Sequence, residues 1–270
     1  MKPLIPTVVA CTFALAFASP SYAGNSCQVK SGARTAALVE LYTSEGCSSC
    51  PPADKQLNHL QQQLSADAVV VPLALHVTYW NYLGWQDGLS QKIFDARQSA
   101  LVASTKNNGG TGVIYTPQFF VSGEELRGWR NGLPQAIQKI NAKPAPVVIT
   151  LTSKTVGTDR IMLDASVKAA DAVDKTKING ALYVAISEND LVSQVGSGEN
   201  RGATLKHDDV VRAWFGPIQL TNGNGRLQQT ITVPSAWNRQ HLQLIAFAQD
   251  QQSGQILQAL STQQCTQTKG

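Results

Sequence analysis

The feature that most constrains the fold is a pair of cysteines, Cys47 and Cys50, set between an apolar segment and an amphipathic one. The apolar segment, residues 36–42, predicts a buried β-strand. After the cysteines, leucines recur at helical spacing over residues 52–64, which predicts a helix with one buried face. Two cysteines separated by two residues, between a strand and a helix, are typical of redox-active sites.

The segments that follow predict a recognisable order of elements. A second apolar strand is expected at residues 68–77, a helix at 89–103, a strand at 118–121 with a short partner at 125–129, and a helix at 133–140. Alternating strands and helices predict parallel pairing, and the terminal hairpin adds antiparallel strands. This order is that of a thioredoxin-like α/β domain, which we place at residues 24–143.

A different pattern begins after the linker at residues 144–146. Six short segments with alternating apolar and polar residues predict strands, and the sequence Asn-Gly-Asn-Gly at residues 222–225 is a hairpin signal. We therefore predict an all-β, sandwich-like domain over residues 147–265. In it, the glycine-rich segment 195–204 is expected to be a surface loop, and residues 207–209 a solvated charge cluster.

The first 23 residues predict a secretory signal peptide. A lysine precedes an apolar run over residues 4–18, and the small residues Ser21 and Ala23 favour cleavage after Ala23. The apolar run is shorter than the ~20 residues that a bilayer-spanning helix needs. We therefore expect a periplasmic or secreted protein with no membrane span in the mature chain.

The remaining cysteines predict a second disulfide. The chain has 5 cysteines, and Cys11 would leave with the signal peptide. In an oxidising compartment an even number of cysteines indicates pairing. Since Cys47 and Cys50 are close enough to pair locally, we expect Cys27 and Cys265 to form a structural disulfide; two free terminal thiols are the alternative.

The cysteine pair predicts thiol–disulfide chemistry. In such a motif the first cysteine is usually the exposed nucleophile, and the second resolves the mixed disulfide. We therefore assign attack to Cys47 and resolution to Cys50. Pro117 directly precedes a strand downstream of the pair, and in the predicted fold that position carries a cis-proline facing the dithiol. We expect the Thr116–Pro117 bond to be cis, although only ~5–6% of such bonds are.

Other side chains are predicted to face the substrate beside Thr116 and Pro117. His76 ends the second strand, and in an open parallel sheet the carboxyl ends of the strands form the site. Since the first strand delivers the cysteines to the same edge, His76, Tyr79 and Trp80 are expected to line it. The alternative is that His76 is a hydrogen-bonded core residue and the two aromatic residues only pack.

Several motifs resemble one bacterial family. The segments LVELYTSEGCSSCPPAD, HVTYWNYLGW, ARQ and YTPQFFVSG, together with GENRGATLKHDDVVRAW at residues 198–214, are similar to the family catalogued as domain of unknown function 1223. The resemblance covers most of the chain after the predicted signal peptide. It implies an exported protein with a thioredoxin-like domain and no agreed physiological role.

The sequence thus predicts a thiol–disulfide oxidoreductase acting on a protein or a small thiol or disulfide. Its 22 basic and 18 acidic residues are scattered, which argues against nucleic acid as a partner. No cofactor or metal is expected, because a zinc site needs about four ligands and no second pair at short spacing exists. Two alternatives stay open: a non-catalytic interaction module with a structural disulfide, and a Cu(I)-binding protein using the two thiolates and His76.

Overall fold

The computed structural model describes residues 26–106, 109–263 and 265. The predicted signal peptide lies outside these residues. They form fourteen β-strands, three α-helices and several 3-10 turns. In chain order the strands and helices are β1 (Ser26–Lys30), β2 (Ala37–Thr43), α1 (Pro51–Asn58), β3 (Val70–His76), α2 (Lys92–Thr105), β4 (Gln118–Val121), β5 (Glu124–Glu125), α3 (Trp129–Asn141), β6 (Val147–Val156), β7 (Arg160–Ala169), β8 (Gly180–Glu188), β9 (Leu191–Gln194), β10 (Thr204–His207), β11 (Val210–Gln219), β12 (Gly225–Thr232), β13 (Leu242–Asp250) and β14 (Ile256–Ser261).

The strands form three sheets. An eight-stranded sheet has the order β14-β13-β8-β11-β3-β2-β4-β5, a four-stranded sheet the order β1-β6-β7-β12, and β9 pairs with β10 alone. In the large sheet β3 pairs in parallel with both β2 and β11, whereas the other pairs are antiparallel. This mixed sheet is the centre of the molecule.

The faces of the large sheet are covered differently. Every residue of β2 is buried, because both of its faces are packed. Leu57 of α1 and Leu133 of α3 pack on one face, and Phe94 of α2 packs on the other. Further along, the four-stranded sheet covers β8 and β13 through a third apolar cluster that includes Leu151 and Leu182. Burial of these apolar surfaces is the main stabilising contribution to such a fold.

The predicted fold, a thioredoxin-like α/β domain followed by a separate all-β sandwich, is wrong. The chain is mostly β-sheet, and the large sheet contains strands from both sides of the linker at residues 144–146. The junction is between β3 and β11, where Ala74 pairs with Val210 and the Ala74 amide donates to the carbonyl of Asp209 at 2.9 Å. An unpaired strand edge presents free backbone groups that another strand can satisfy. Local sequence patterns predicted the strands but not this distant pairing.

A disulfide joins the two ends of the described chain. Cys27 of β1 is bonded to Cys265, with their Cα atoms 6.0 Å apart, which confirms the predicted pairing. Because it links β1 to the segment that follows β14, it connects the four-stranded sheet to the edge of the large one. Among the described residues, no helix has the length and apolar character needed to cross a bilayer.

Candidate functional site

The Cys47–Cys50 pair forms a disulfide where the chain passes from β2 to α1. The two Cα atoms are 5.4 Å apart. Cys50 is the N-cap of α1, and its carbonyl accepts hydrogen bonds from the amides of Ala53 and Asp54 at 2.8 and 3.1 Å. Pro51 and Pro52 occupy the first helical turn, where a missing N–H has little consequence. The strand and the helix thus hold the disulfide at the end of the large sheet.

Both sulfur-bearing side chains are inaccessible. Cys47 and Cys50 are each 0% exposed, so the expectation of an exposed Cys47 is wrong. The two residues between them, Ser48 and Ser49, are exposed. The disulfide is therefore close to the surface but covered.

Five ionisable side chains are buried close to one another, beside the turn that contains the disulfide. They are Glu45, Asp54, His76, Asp87 and His207. Asp87 Oδ2 lies 2.8 Å from His76 Nδ1 and accepts a hydrogen bond of 3.0 Å from the amide of Glu45. The rings of His76 and His207 meet edge to face, with their centroids 5.0 Å apart. We call these five residues the buried ionisable cluster.

The cluster contains polar atoms that no described residue satisfies. His207 Nε2 and Glu45 Oε1 lie 3.4 Å apart, within ion-pair distance, but their orientation does not form a hydrogen bond. Asp54 Oδ1, His76 Nε2 and His207 Nδ1 are also without a hydrogen-bond partner. Buried polar atoms are nearly always paired, and leaving one unpaired costs about 1–3 kcal/mol. Several such atoms in one place are therefore unusual for a purely structural interior.

Burial and neighbouring charges shift the pKa values in this cluster. Burial raises the pKa of Asp54 above its ordinary value, and the two histidines only partly oppose this shift. Burial would lower the pKa of His76, but the carboxylate of Asp87 outweighs it and raises that pKa. The pKa of Asp87 is lowered, because His76 outweighs the effect of burial. Burial would raise the pKa of Glu45, but the polar groups around its carboxylate, above all His207, outweigh burial and lower that pKa. Shifts of this kind concentrate at functional sites.

Trp80 and Thr116, two other predicted site residues, are linked to the disulfide turn. The indole N–H of Trp80 donates to Thr116 Oγ1 at 2.7 Å, and a Cβ added to Gly46 would lie 3.4 Å from Trp80 Cβ. Trp80 therefore connects the residue before Cys47 to the Thr116–Pro117 bond, which is cis as predicted.

Tyr79 and His76 point away from the surface around the disulfide. The hydroxyl of Tyr79 donates to Gln98 Oε1 at 3.1 Å, on the side where α2 packs. His76 is fully buried and held by Asp87, so it is not placed for direct contact with a partner in this structure. His76 belongs instead to the buried ionisable cluster.

Sequence reasoning did not assign several residues to the site. Asp54 gave a detectable signal, because it lies three residues before Leu57 on the buried face of α1, where a carboxylate is out of place. His207 was expected in a solvated cluster but is 2% exposed. Asp87 and Asn200 lie in loops, and nothing in their local pattern indicates that they reach the disulfide.

The arrangement of ligands gives no support to a metal site. Among the residues that the structure describes, no group of three or more histidine, cysteine, aspartate or glutamate side chains is placed to hold a metal ion. The Cu(I) hypothesis therefore stays a prediction without a structural observation in its favour.

The fold and the site define a β-rich protein with a covered C-x-x-C disulfide above buried ionisable side chains. The chain belongs to the family described as protein of unknown function (DUF1223), whose model matches residues 38–249. No curated protein matches it.

Two solved structures are similar to the chain. The crystal structure of protein AGR_C_4864 from Agrobacterium tumefaciens is 25% identical, with a TM-score of 0.54, and the match covers 86% of this chain and 95% of that one. HBP35 of Porphyromonas gingivalis is 16% identical, with a TM-score of 0.63, and the match covers 85% of this chain and 75% of that one. The second likeness concerns the fold alone.

Proposed function

We propose that this protein exchanges thiols and disulfides with a protein or a small-molecule partner through Cys47 and Cys50. One observation carries the proposal: the Cys47–Cys50 disulfide is bonded at the start of α1, directly beside the buried ionisable cluster. A disulfide that only fixes a turn needs no buried acids and histidines around it. Groups with shifted pKa values at a reactive bond favour a chemical role.

The reaction is a pair of sulfur displacements. A thiolate of the partner attacks one sulfur, a mixed disulfide forms, and the other sulfur leaves as a thiolate. A second partner thiolate then displaces the remaining cysteine, so the partner leaves as a disulfide and both protein cysteines are reduced. The same steps in reverse order oxidise Cys47 and Cys50 and reduce the partner.

The buried ionisable cluster supplies a proton to a leaving thiolate in this scheme. Asp54 is one helical turn from Cys50, and its amide donates to the Cys50 carbonyl at 3.1 Å. Burial raises the pKa of Asp54 and so favours the protonated carboxyl. A protonated carboxyl donates where an ionised one cannot, so Asp54 is our candidate for the proton donor.

We also propose that the protein acts in the periplasm or outside the cell. Support comes from the two disulfides, because disulfides persist in oxidising compartments. The signal-peptide pattern of residues 1–23 agrees with this proposal.

A second candidate function is a non-catalytic interaction module. One observation favours it: both cysteines of the disulfide are 0% exposed, as in an inert structural bond. Such bonds resist the glutathione pool, with reduction potentials below about −300 mV. The two candidates therefore differ in a measurable quantity.

The deciding experiment is redox equilibration of the Cys47–Cys50 bond against glutathione, followed by alkylation and mass spectrometry. We expect a potential above about −300 mV, in the range of exchange-active disulfides, and measurable turnover of insulin disulfides. Cys47→Ser should abolish that turnover, and Cys50→Ala should trap a mixed disulfide.

The matched control is the double variant Cys27→Ser/Cys265→Ser. It removes the other disulfide and should keep the turnover at temperatures where it is folded. If the Cys47–Cys50 bond has a reduction potential below about −300 mV and no partner is trapped, the disulfide has a structural role instead.

A further inference from the structure

A loop from a distant part of the chain lies over the disulfide turn. The side-chain amide of Asn200 donates to the carbonyls of Glu45 and Cys47 at 2.8 and 2.9 Å. The carboxylate of Glu199 accepts a hydrogen bond of 2.9 Å from the amide of Ser48. Three backbone groups of the turn are thus occupied by two neighbouring side chains.

This loop, residues 195–203, is closed at its base. The amide of Val195 donates to the Ala203 carbonyl at 2.9 Å, and the amide of Gly202 donates to the Val195 carbonyl at 2.7 Å. The loop joins β9 to β10, which pair only with each other. An isolated two-stranded hairpin is marginally stable by itself. His207 at the other end of the hairpin is buried, so the loop is the tip of the hairpin and can move as one unit.

A further contact holds the loop against the residues before Asp87. The hydroxyl of Ser197 donates to the carbonyl of Gly84. Gly198 has φ +75°, and a Cβ added there would lie 3.3 Å from Trp85 Cβ. Only glycine adopts this conformation readily, so the close approach of the loop depends on Gly198.

These contacts are polar and partly solvated. Glu199 is exposed and Asn200 is half-buried, so water competes for each bond. Hydrogen bonds of this kind contribute modestly to stability, and segments held by few such contacts open locally without global unfolding. The loop can therefore leave the turn while the three apolar clusters stay intact.

We infer that residues 195–203 are a displaceable cover, held shut by Glu199 and Asn200, that must open before any thiol or reductant reaches Cys47 or Cys50. The biological purpose of the cover rests on the proposed function, but the control of access to the two sulfurs does not. Displacement at a disulfide requires that the attacking group reach a sulfur, and both side chains are inaccessible while the loop is closed. The cover makes the buried disulfide compatible with exchange.

The test is the rate at which tris(2-carboxyethyl)phosphine, a small reductant, reduces the Cys47–Cys50 bond in Asn200→Ala. Loss of two hydrogen bonds should raise this rate about tenfold or more, and Glu199→Ala/Asn200→Ala should raise it further. Reduction is followed by alkylation and mass spectrometry, so the Cys27–Cys265 bond of the same molecule is an internal reference.

The matched control is Asn224→Ala. Like Asn200, Asn224 donates its side-chain amide to a backbone carbonyl, that of Asn222 at 2.8 Å, but it is exposed and lies in the turn between β11 and β12. The Cys47–Cys50 bond of this variant should be reduced at the same rate as in the wild type. Equal melting temperatures of the wild type and the three variants would exclude global unfolding as the cause of faster reduction.

Hydrogen exchange provides a measurement that needs no variant. The closed loop predicts protection of the Ser48 amide, which donates to Glu199. An unprotected Ser48 amide in the wild type would overturn the inference.

The outcomes separate the cover from the proposed function. Faster reduction of the Cys47–Cys50 bond in Asn200→Ala supports the cover, whether or not the wild type or the variants turn over insulin. If none of them turns over insulin, only the proposed function fails. An unchanged rate in Asn200→Ala and in the double variant overturns the cover, and turnover by the wild type would leave the proposed function standing.

Discussion

Replacing Asp54 by asparagine should stabilise the folded protein. Asp54 is 7% exposed, and its Oδ1 atom has no hydrogen-bond partner among the described residues. An unsatisfied buried polar atom costs about 1–3 kcal/mol, and more when it is charged. Asparagine keeps the shape but removes the charge, so we expect Asp54→Asn to raise the free energy of unfolding by about 1–3 kcal/mol at pH 8.

The pH dependence of this gain follows from the raised pKa. Folding raises the pKa of Asp54 above 3.8, mainly by burial, against the attraction of His76 and His207. At a pH below 3.8 the carboxyl is protonated in both the folded and unfolded states and carries no penalty. As the pH rises from 3.8 through the folded pKa, ionisation increasingly favours the unfolded state. The advantage of Asp54→Asn should therefore grow between pH 4 and pH 8.

Urea denaturation at both pH values, with equal m-values, measures this advantage. Asp171→Asn is the control, because Asp171 is exposed in the turn after β7 and should show no such trend. If Asp54 also donates the proton, the stabilised variant should exchange disulfides more slowly, a common opposition between stability and activity. A variant that is less stable at pH 8, or a pH-independent difference, would refute the account of Asp54 as a destabilising buried acid.

Three further predictions concern other contacts. Asp87→Asn should lower the free energy of unfolding by about 3–5 kcal/mol, because it breaks a buried pair with His76. The pKa of His76 is raised and that of Asp87 is lowered in the folded state. Urea denaturation should therefore show the largest loss of unfolding free energy between about pH 4 and 6.5, and a smaller loss above the folded pKa of His76. Replacing Cys27 and Cys265 by serine opens a loop with a sequence separation of 238 and should cost up to about 5 kcal/mol by the loop-entropy model; a loss under 1 kcal/mol would contradict it. Gly198→Ala should speed reduction of the covered disulfide in the phosphine assay, and an unchanged rate would count against the need for glycine there.

Local patterns predicted most of the individual elements, although the strand expected at residues 125–129 is only Glu124–Glu125. The strand expected at residues 118–121 is β4 as observed, and each of the six strands expected after the linker has a counterpart among β6 to β13. Alternation of apolar and polar residues indicates which side of a strand is buried. The alternation can be read from residues close together in the sequence, so the strands were predictable. The pairing of Cys27 with Cys265 was predictable for a different reason, since elimination of the other cysteines left one partner for each.

The turn at residues 222–225 shows where local prediction stops. The amides and carbonyls of Thr221 and Asn224 exchange hydrogen bonds of 2.8 and 3.0 Å, so the turn forms. However, β11 continues into the large sheet and β12 into the four-stranded one. A turn sequence fixes the backbone over a few residues, but the partners of the strands depend on which surfaces they bury.

In the candidate site, too, some features follow from the local sequence and others from long-range packing. Local sequence patterns place two cysteines at a strand–helix junction and point to Pro117 and Trp80 as members of the same candidate site. The surroundings of these residues depend on long-range packing, because β10 and the loop before it bring His207 and Asn200 to a turn more than 150 residues earlier in the chain. Periodicity reports contacts within one element, whereas the burial of a sulfur atom and the pKa of a nearby acid depend on whatever segment packs against them.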